Sequence, residues 1–310
     1  MPTPLDPNAF DFARSVSLDE PILSVEYVAK GFSFDQKFRI QTSTQRFLLR
    51  VSASGNLDAR RSEFEVIQAL HRQGLCVGEP IRFEAGSEFC CALHRWVEGE
   101  SGEDAIPRLS TEDQSNAGQE SGLQLRLIHQ AFPSSETINE AAVRGGKFRK
   151  VDVQCREMGL QFEGQGEARE FVELHLHLLE SRPVTFRHGD FHPANLIFQV
   201  ASLVGVIDFN RCDFGDPYDD FYKLAYFAAP ISQAFASGVI LGYFAGRVPD
   251  EFWPIYNTYV AAVLPADLVW CHTLYPEDLP HAMTRNKHIL ATHDFREGGP
   301  PSWWTKQDQV

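Results

Sequence analysis

The chain opens with short runs in which β-branched and aromatic residues alternate with polar ones. Ile22 to Val28, Gln36 to Gln41 and Phe47 to Val51 have this character, and a Ser-Thr-Gln turn separates the last two, which predicts a hairpin in a small sheet. The period then changes. From Leu57 to Arg72, Phe64, Ile67 and Leu70 recur on one stripe and Gly74 supplies a stop, so a helix is predicted there. A second strand pair follows, ending in Phe89-Cys90-Cys91-Ala92-Leu93, and the polar, glycine-containing segment Glu98 to Asp104 reads as a linker. Beyond it the spacing is helical over Thr111 to Gln130 and Ala168 to Leu179. Pro133 to Val153, between those helices, is polar and basic and gives no definite element. Leu196-Ile197-Phe198 and Val204-Gly205-Val206-Ile207 predict a buried hairpin, and from Phe221 onward the chain is helical and rich in aromatics.

Composition narrows the class. The 310 residues are 43% hydrophobic and 23% charged, as in a soluble globular protein long enough for two lobes. A net charge of −14 argues against a nucleic-acid partner and suits a cationic small substrate. The six cysteines form no C-x-x-C pair and read as reduced, buried residues. Met1-Pro2-Thr3-Pro4 has no basic flank or apolar core, and no apolar run reaches membrane-spanning length. A cytoplasmic protein without a membrane partner is expected, and the absence of a heptad seam makes a monomer the expectation.

The chemistry concentrates around the predicted hairpin. His188-Gly189-Asp190-Phe191-His192-Pro193-Ala194-Asn195 precedes its first strand, and Ile207-Asp208-Phe209-Asn210 closes its second. Such an order can bring two carboxylates and a carboxamide to one end of a hairpin, where hard oxygen ligands suit Mg²⁺ bound to phosphates. Downstream, Gly215-Asp216-Pro217-Tyr218-Asp219 reads as a helix start with Asp216 as cap. Asp213 and Asp220 stay open as contacts for a cationic acceptor. Trp253, Tyr256, Tyr259 and Trp270 read mostly as core or partner-helix positions, with a place in an acceptor pocket open for one or two of them.

His-x-Asp with Asn five residues after the Asp, then a strand closing on Asp-Phe, is similar to the catalytic loop and metal motif of protein kinases. The details differ: His-Gly-Asp replaces His-Arg-Asp, His192 follows, and Asn210 stands where a Gly would be. This form resembles the aminoglycoside phosphotransferase and choline kinase superfamily, most closely over Arg187 to Ala225. The resemblance implies an α+β, protein-kinase-like two-lobed fold. Residues 1–97 would be a small antiparallel sheet lobe with one helix, the nucleotide-binding lobe and hinge, and 98–310 a larger, mainly helical lobe for catalysis and acceptor binding. It implies phosphoryl transfer from ATP, with GTP not excluded, to the hydroxyl of a small molecule. Asp190 would be the catalytic base, Asn195 and Asp208 the Mg²⁺ ligands, His188 and His192 loop supports, and Arg211 a phosphate contact or a tie for the motif.

The same resemblance sets expectations for the first lobe. Lys30 to Lys37, which contains Ser33, occupies the place of the phosphate-covering loop. Arg50 stands where a strand lysine would reach the phosphates, with Glu63 as its helix partner. Leu93, Trp96 and Val97 lie in the segment expected to meet the adenine edge. Two other readings stay open: a nucleotide-binding pseudokinase or binding module on the same fold, and an iron site built from His188, Asp190 and a distant histidine such as His272 or His288.

Overall fold

The computed structural model describes residues 6–29 and 35–305. The chain forms two compact units, Met1–Gly99 with Val204–Asn210, and Glu100–Leu203 with Arg211–Val310. The first begins with a helix, α1 (Pro7–Ser15). The Asp6 carboxylate accepts the Asn8 amide at 2.9 Å, and Pro7 takes the first helical position, where a missing N–H costs no bond. One helix is expected in this lobe; α1 is a second, announced only by its Asp-Pro start.

Then come β1 (Ser24–Tyr27), β2 (Gln36–Gln41), β3 (Arg46–Ala53), α2 (Leu57–Arg72), β4 (Pro80–Ala85) and β5 (Phe89–Arg95). The strands form an antiparallel sheet in the order β1-β2-β3-β5-β4. Alternation along β2 explains how both faces are used. Phe38 and Ile40, opposite Leu49 and Phe47, turn to one face and join Val51, Leu93 and the α1 residues Ala9 and Ala13 in a core. Burying each large side chain there contributes about 1.5–3 kcal/mol. On the other face Lys37 stands opposite Arg50, and α2 covers it with Glu63, Phe64, Ile67 and Leu70. α2 ends where Gly74 adopts a φ of 78° and the Leu75 amide returns to the Leu70 carbonyl.

The second unit opens with β6 (Glu100–Ser101) and α3 (Gly102–Ala105), so much of the expected linker is regular structure. It continues through α4 (Thr111–Gln130), β7 (Thr137–Ile138), α5 (Glu140–Glu157), α6 (Gln165–His175), β8 (Arg182–Pro183), β9 (Thr185–Arg187), β10 (Leu196–Gln199), β11 (Ser202–Val206), whose residues from Val204 belong to the first unit, and β12 (Asp213–Gly215). The long helices α7 (Gln233–Tyr243), α8 (Phe252–Leu274) and α9 (Leu279–Thr292) complete it. β6 pairs with β10, β9 with β12 and β7 with β8, all antiparallel. α5 fills the stretch without a definite pattern. Its buried stripe is Gly145, Phe148, Asp152 and Cys155, helical in spacing but half polar, because Asp152 is paired with Arg169 at 2.9 Å.

α4 and α7 cross backbone to backbone. Gly118 and Gly122 on one helix meet Gly238 and Gly242 on the other; a Cβ on Gly122 would lie 2.0 Å from the Val239 carbonyl oxygen, and one on Gly242 2.0 Å from that of Gln119. α8 supplies the aromatic core, with Tyr256 and Tyr259 almost wholly buried and Trp253 nearly so. Pro265 lies inside α8, and two side chains reach carbonyls near it: Tyr226 Oη donates to Val260 O at 3.1 Å and Asn286 Nδ2 to Leu264 O at 2.9 Å. Among the described residues no helix is long and apolar enough to cross a membrane.

His293, just past α9, gives the unit an acid-sensitive point. Its Nδ1 lies 3.0 Å from the Ile289 carbonyl and its Nε2 3.2 Å from Tyr256 Oη, so the neutral ring donates to the first and accepts from the second. Burial, only partly offset by the Ile289 carbonyl, lowers its pKa from 6.5 to about 4. A depressed pKa means that the unfolded chain takes the proton first, so stability is lost as pH falls from 6.5 through about 4. The full loss is about 3 kcal/mol. Urea unfolding at pH 7.5 and 4.5 should show most of it, and His293→Gln should flatten that pH dependence even if it lowers stability overall. An unchanged slope in the variant would remove His293 as the cause.

Candidate active site

The loop after β9 is held by its own backbone. Gly189 takes a φ of 76°, and a Cβ there would stand 2.2 Å from the Arg211 carbonyl oxygen, so only glycine lets the two segments pass. Asp220 clasps the loop from the other side: its Oδ2 accepts the His188 amide at 2.9 Å and its Oδ1 the Gly189 amide at 2.7 Å. His129 Nε2 lies 3.0 Å from the same Oδ2, and His129 Nδ1 lies 2.9 Å from Tyr243 Oη. Burial pushes the Asp220 carboxyl up, yet His129, His188 and Arg187 outweigh it and hold it below the usual range. Asp220, expected as an acceptor contact, is therefore a buried brace with both oxygens engaged.

His188 is fully buried, and its Nδ1 accepts the Asp190 amide at 3.1 Å, which sets the direction in which Asp190 leaves the loop. Asp190 then meets a residue that the motif did not mark. Lys223 Nζ lies 2.6 Å from Asp190 Oδ1, with its side chain only 6% exposed and its ammonium 5.1 Å and 5.3 Å from the Tyr222 and Phe227 ring centres. The signal for Lys223 is slight: a lone cation before the apolar run Leu224-Ala225-Tyr226. The His192 ring lies 4.9 Å from that of Phe227 and tilted to it, with Nε2 3.7 Å from Asp190 Oδ2, longer than a hydrogen bond. Burial raises the Asp190 pKa, but His192 and the Lys223 ammonium more than reverse this and keep the carboxylate ionised well below its ordinary range. Asn195 Nδ2 donates to the Asp190 carbonyl at 2.9 Å, so Oδ1 is the atom it has to offer a cation.

The acidic residues that follow are also committed. Arg187 grips both oxygens of Asp213, at 2.8 Å and 2.6 Å, and donates to Asp219 at 2.8 Å; Asp219 also pairs with Arg144. Asp213, the other expected acceptor contact, stays about half exposed but is already neutralised. Asp216 caps the turn of 3-10 helix Pro217–Phe221 through the Tyr218 amide at 3.1 Å, and its second oxygen is buried against Arg182 at 2.7 Å and Tyr259 Oη at 2.8 Å. Arg211 is exposed.

The remaining motif residues belong to the first unit. Asp208 adopts a φ of 67°, uncommon outside glycine, and among the described residues its buried Oδ1 has no hydrogen-bond partner. Its Oδ2 lies 3.5 Å from Lys37 Nζ. An orphaned carboxylate oxygen here and a carboxamide oxygen on Asn195 are the donor types that a hard divalent cation prefers. Among the described residues no group of three or more His, Cys, Asp or Glu is placed to hold a metal, and the His188 Nδ1 is already used, which removes the iron-site reading.

Arg50 is packed among carboxylates. Nε donates to Asp35 and Nη1 to Glu63, each at 2.6 Å, and Arg60 also bridges Glu63 at 2.5 Å and Asp35 at 3.4 Å. Leu93, expected at the adenine edge, lies within β5 between β3 and β4, with its side chain in the α1 core. The Trp96 amide donates to the Arg46 carbonyl at 3.0 Å, and Val97 packs against the Cα positions of Gly78 and Gly205. Ser33 and most of its loop lie outside the described residues.

Known proteins resemble this arrangement. Solved structures that match include aminoglycoside phosphotransferase APH(4)-Ia in a ternary complex with AMP-PNP and hygromycin B, at 15% identity and a TM-score of 0.64, covering 92% of this chain and 98% of that one. The gentamicin complex of APH(2")-IIa matches at 17% identity and 0.62, covering 94% and 98%. A putative aminoglycoside phosphotransferase from Ralstonia eutropha matches at 15% and 0.59, covering 91% and 95%. At these identities the likeness establishes the protein-kinase-like fold, with a sheet in one unit and helices in the other. No curated protein matches the sequence. The model of the phosphotransferase enzyme family matches residues 24–253. Since that match starts at the first residue of β1 and runs into α8, the chain belongs to the phosphotransferase enzyme family.

Proposed function

We propose that the protein transfers the γ-phosphate of ATP to a hydroxyl of a small molecule of the aminoglycoside, amino-alcohol or sugar class. The observation that carries this reading is the Asp190 carboxylate, held ionised on a braced loop with Asn195 tied to the same backbone. Asp190 accepts a hydrogen bond from the acceptor hydroxyl, orients it, and takes its proton late, as the new P–O bond makes that proton acidic. A carboxylate of low basicity suffices for such a transfer, because in-line positioning does most of the work. His192 and Phe227 limit where the acceptor can sit. Magnesium, held through Asn195 and Asp208, would neutralise the nucleotide phosphates.

Residues 1–97 then serve the nucleotide and 98–310 the acceptor. Nucleotide-bound relatives of the fold support ATP as donor: solved neighbours contain ADP or AMP-PNP. Asp190, Asp213 and Asp219 each have a cation within hydrogen-bond reach, so the amines of a cationic acceptor would have to be met by other residues. Incubation with Mg·ATP and a panel of aminoglycosides, amino alcohols and sugars should give acceptor-dependent ADP release and a product heavier by one phosphate. Nucleotide binding without a phosphorylated product across such a panel would point instead to a binding module.

A further inference from the structure

Resting on that reading, we propose that Lys37 on β2, and not Arg50 on β3, is the residue that binds the diphosphate of the nucleotide. Arg50 and Lys37 are direct cross-strand partners, so their side chains leave the same face of the sheet with Cβ atoms about 5 Å apart. They differ in what they already hold. Arg50 and Arg60 contribute two positive charges, Asp35 and Glu63 two negative ones, and the four close on each other in contacts of 2.5–3.4 Å. The quartet is electrically neutral and nearly dry: the side chains of Asp35, Glu63 and Arg50 are 3%, 8% and 9% exposed.

A phosphate approaching Arg50 meets no net charge. Turning the guanidinium toward it would leave two buried carboxylates to share the single charge of Arg60, so that the desolvation of one goes uncompensated. One nitrogen of Arg50, Nη2, is buried without a partner among the described residues, but the planar group is fixed at its other two corners. Arg50 thus serves as a positioning residue for Glu63 and for the start of α2.

Lys37 is the opposite case. Its 3.5 Å approach to Asp208 is an ion pair beyond a typical hydrogen-bond length, and an ammonium has three donors that rotate freely. Its side chain is 15% exposed, so part of it is open to a ligand. It also sits beside the one carboxylate of this unit nominated as a metal ligand, which places its charge where a nucleotide–metal complex would bring phosphate oxygens. A diphosphate therefore gains an ammonium without dismantling a buried network.

Calorimetric titration with Mg·ADP and with adenosine tests the assignment without relying on turnover. Lys37→Met should weaken Mg·ADP by about tenfold or more, leave adenosine binding and the melting temperature unchanged, and be largely rescued by Lys37→Arg. Arg50→Lys should lower the melting temperature while shifting ADP affinity by less than about threefold. Wild-type ADP affinity in Lys37→Met, or an equal loss of ADP and adenosine affinity in it, overturns the assignment while leaving the phosphotransferase reading intact. So does a tenfold loss of ADP affinity in Arg50→Lys with no change in melting temperature. A wild-type protein that binds no nucleotide overturns both.

Discussion

Gly122→Ala is expected to destabilise the helical unit by about 3 kcal/mol or more, although alanine is intrinsically better than glycine in a helix by about 1 kcal/mol. The new methyl would start 2.0 Å from the Val239 carbonyl oxygen and 2.8 Å from the Tyr243 nitrogen. Both are main-chain atoms of α7, so no side-chain rotation relieves the overlap. The helices must part by about 1 Å, and each contact along the crossing weakens with them. Gly242→Ala should behave alike, since its methyl would meet Gln119 O at 2.0 Å. Gly146, on an exposed turn of α5 with nothing within 4 Å of where a methyl would stand, is the internal control, and Gly146→Ala should stabilise by about 0.5–1 kcal/mol. Urea unfolding of the three variants decides the matter. Equal effects at Gly122 and Gly146 would show that the crossing tolerates a wider separation.

Asp190→Asn should lower kcat by about a hundredfold to ten-thousandfold, the range lost with a general base, while the affinity for Mg·ATP changes little. The isosteric amide keeps the loop contacts but can neither take the hydroxyl proton nor balance Lys223. A buried ammonium without its carboxylate lowers stability, so the melting temperature of the variant should fall as well. Asp190→Asn/Lys223→Met removes both charges; it should recover stability without recovering turnover. Activity returning together with stability would mean that Asp190 acts through the fold and not as the base.

The legibility of the chain followed what each element is built from. β2 and α2 lie at the residues their patterns predict, because each has an apolar stripe with polar residues between its members and a definite stop. α5 carried no such signal, since a buried glycine and a buried, paired aspartate stand in its stripe. The Glu98 to Asp104 stretch reads as a linker by composition, but Gly102 is there to admit the Pro193 carbonyl, 2.8 Å from where a Cβ would stand. At the site, motif spacing located the His188 to Asn195 loop but not what surrounds it. Lys223 and Asp220 act on Asp190 and Gly189 from 33 and 31 residues further along, and only the folded chain supplies that proximity. Arg50 was legible as the partner of Glu63; that Asp35 and Arg60 close the group was not.

The Asp220 clasp has a dynamic consequence. Through His129 and Tyr243 it fastens the loop to α4 and α7, the same two helices whose glycines lock together. The His188 and Gly189 amides can then meet solvent only when a buried carboxylate is exposed, so their deuterium uptake should track opening of the whole helical unit and not fraying of a loop. Asp190, directly after Gly189, is thereby tied to the helical unit, and on the proposed reading any motion that admits an acceptor or releases a product would come from segments around it.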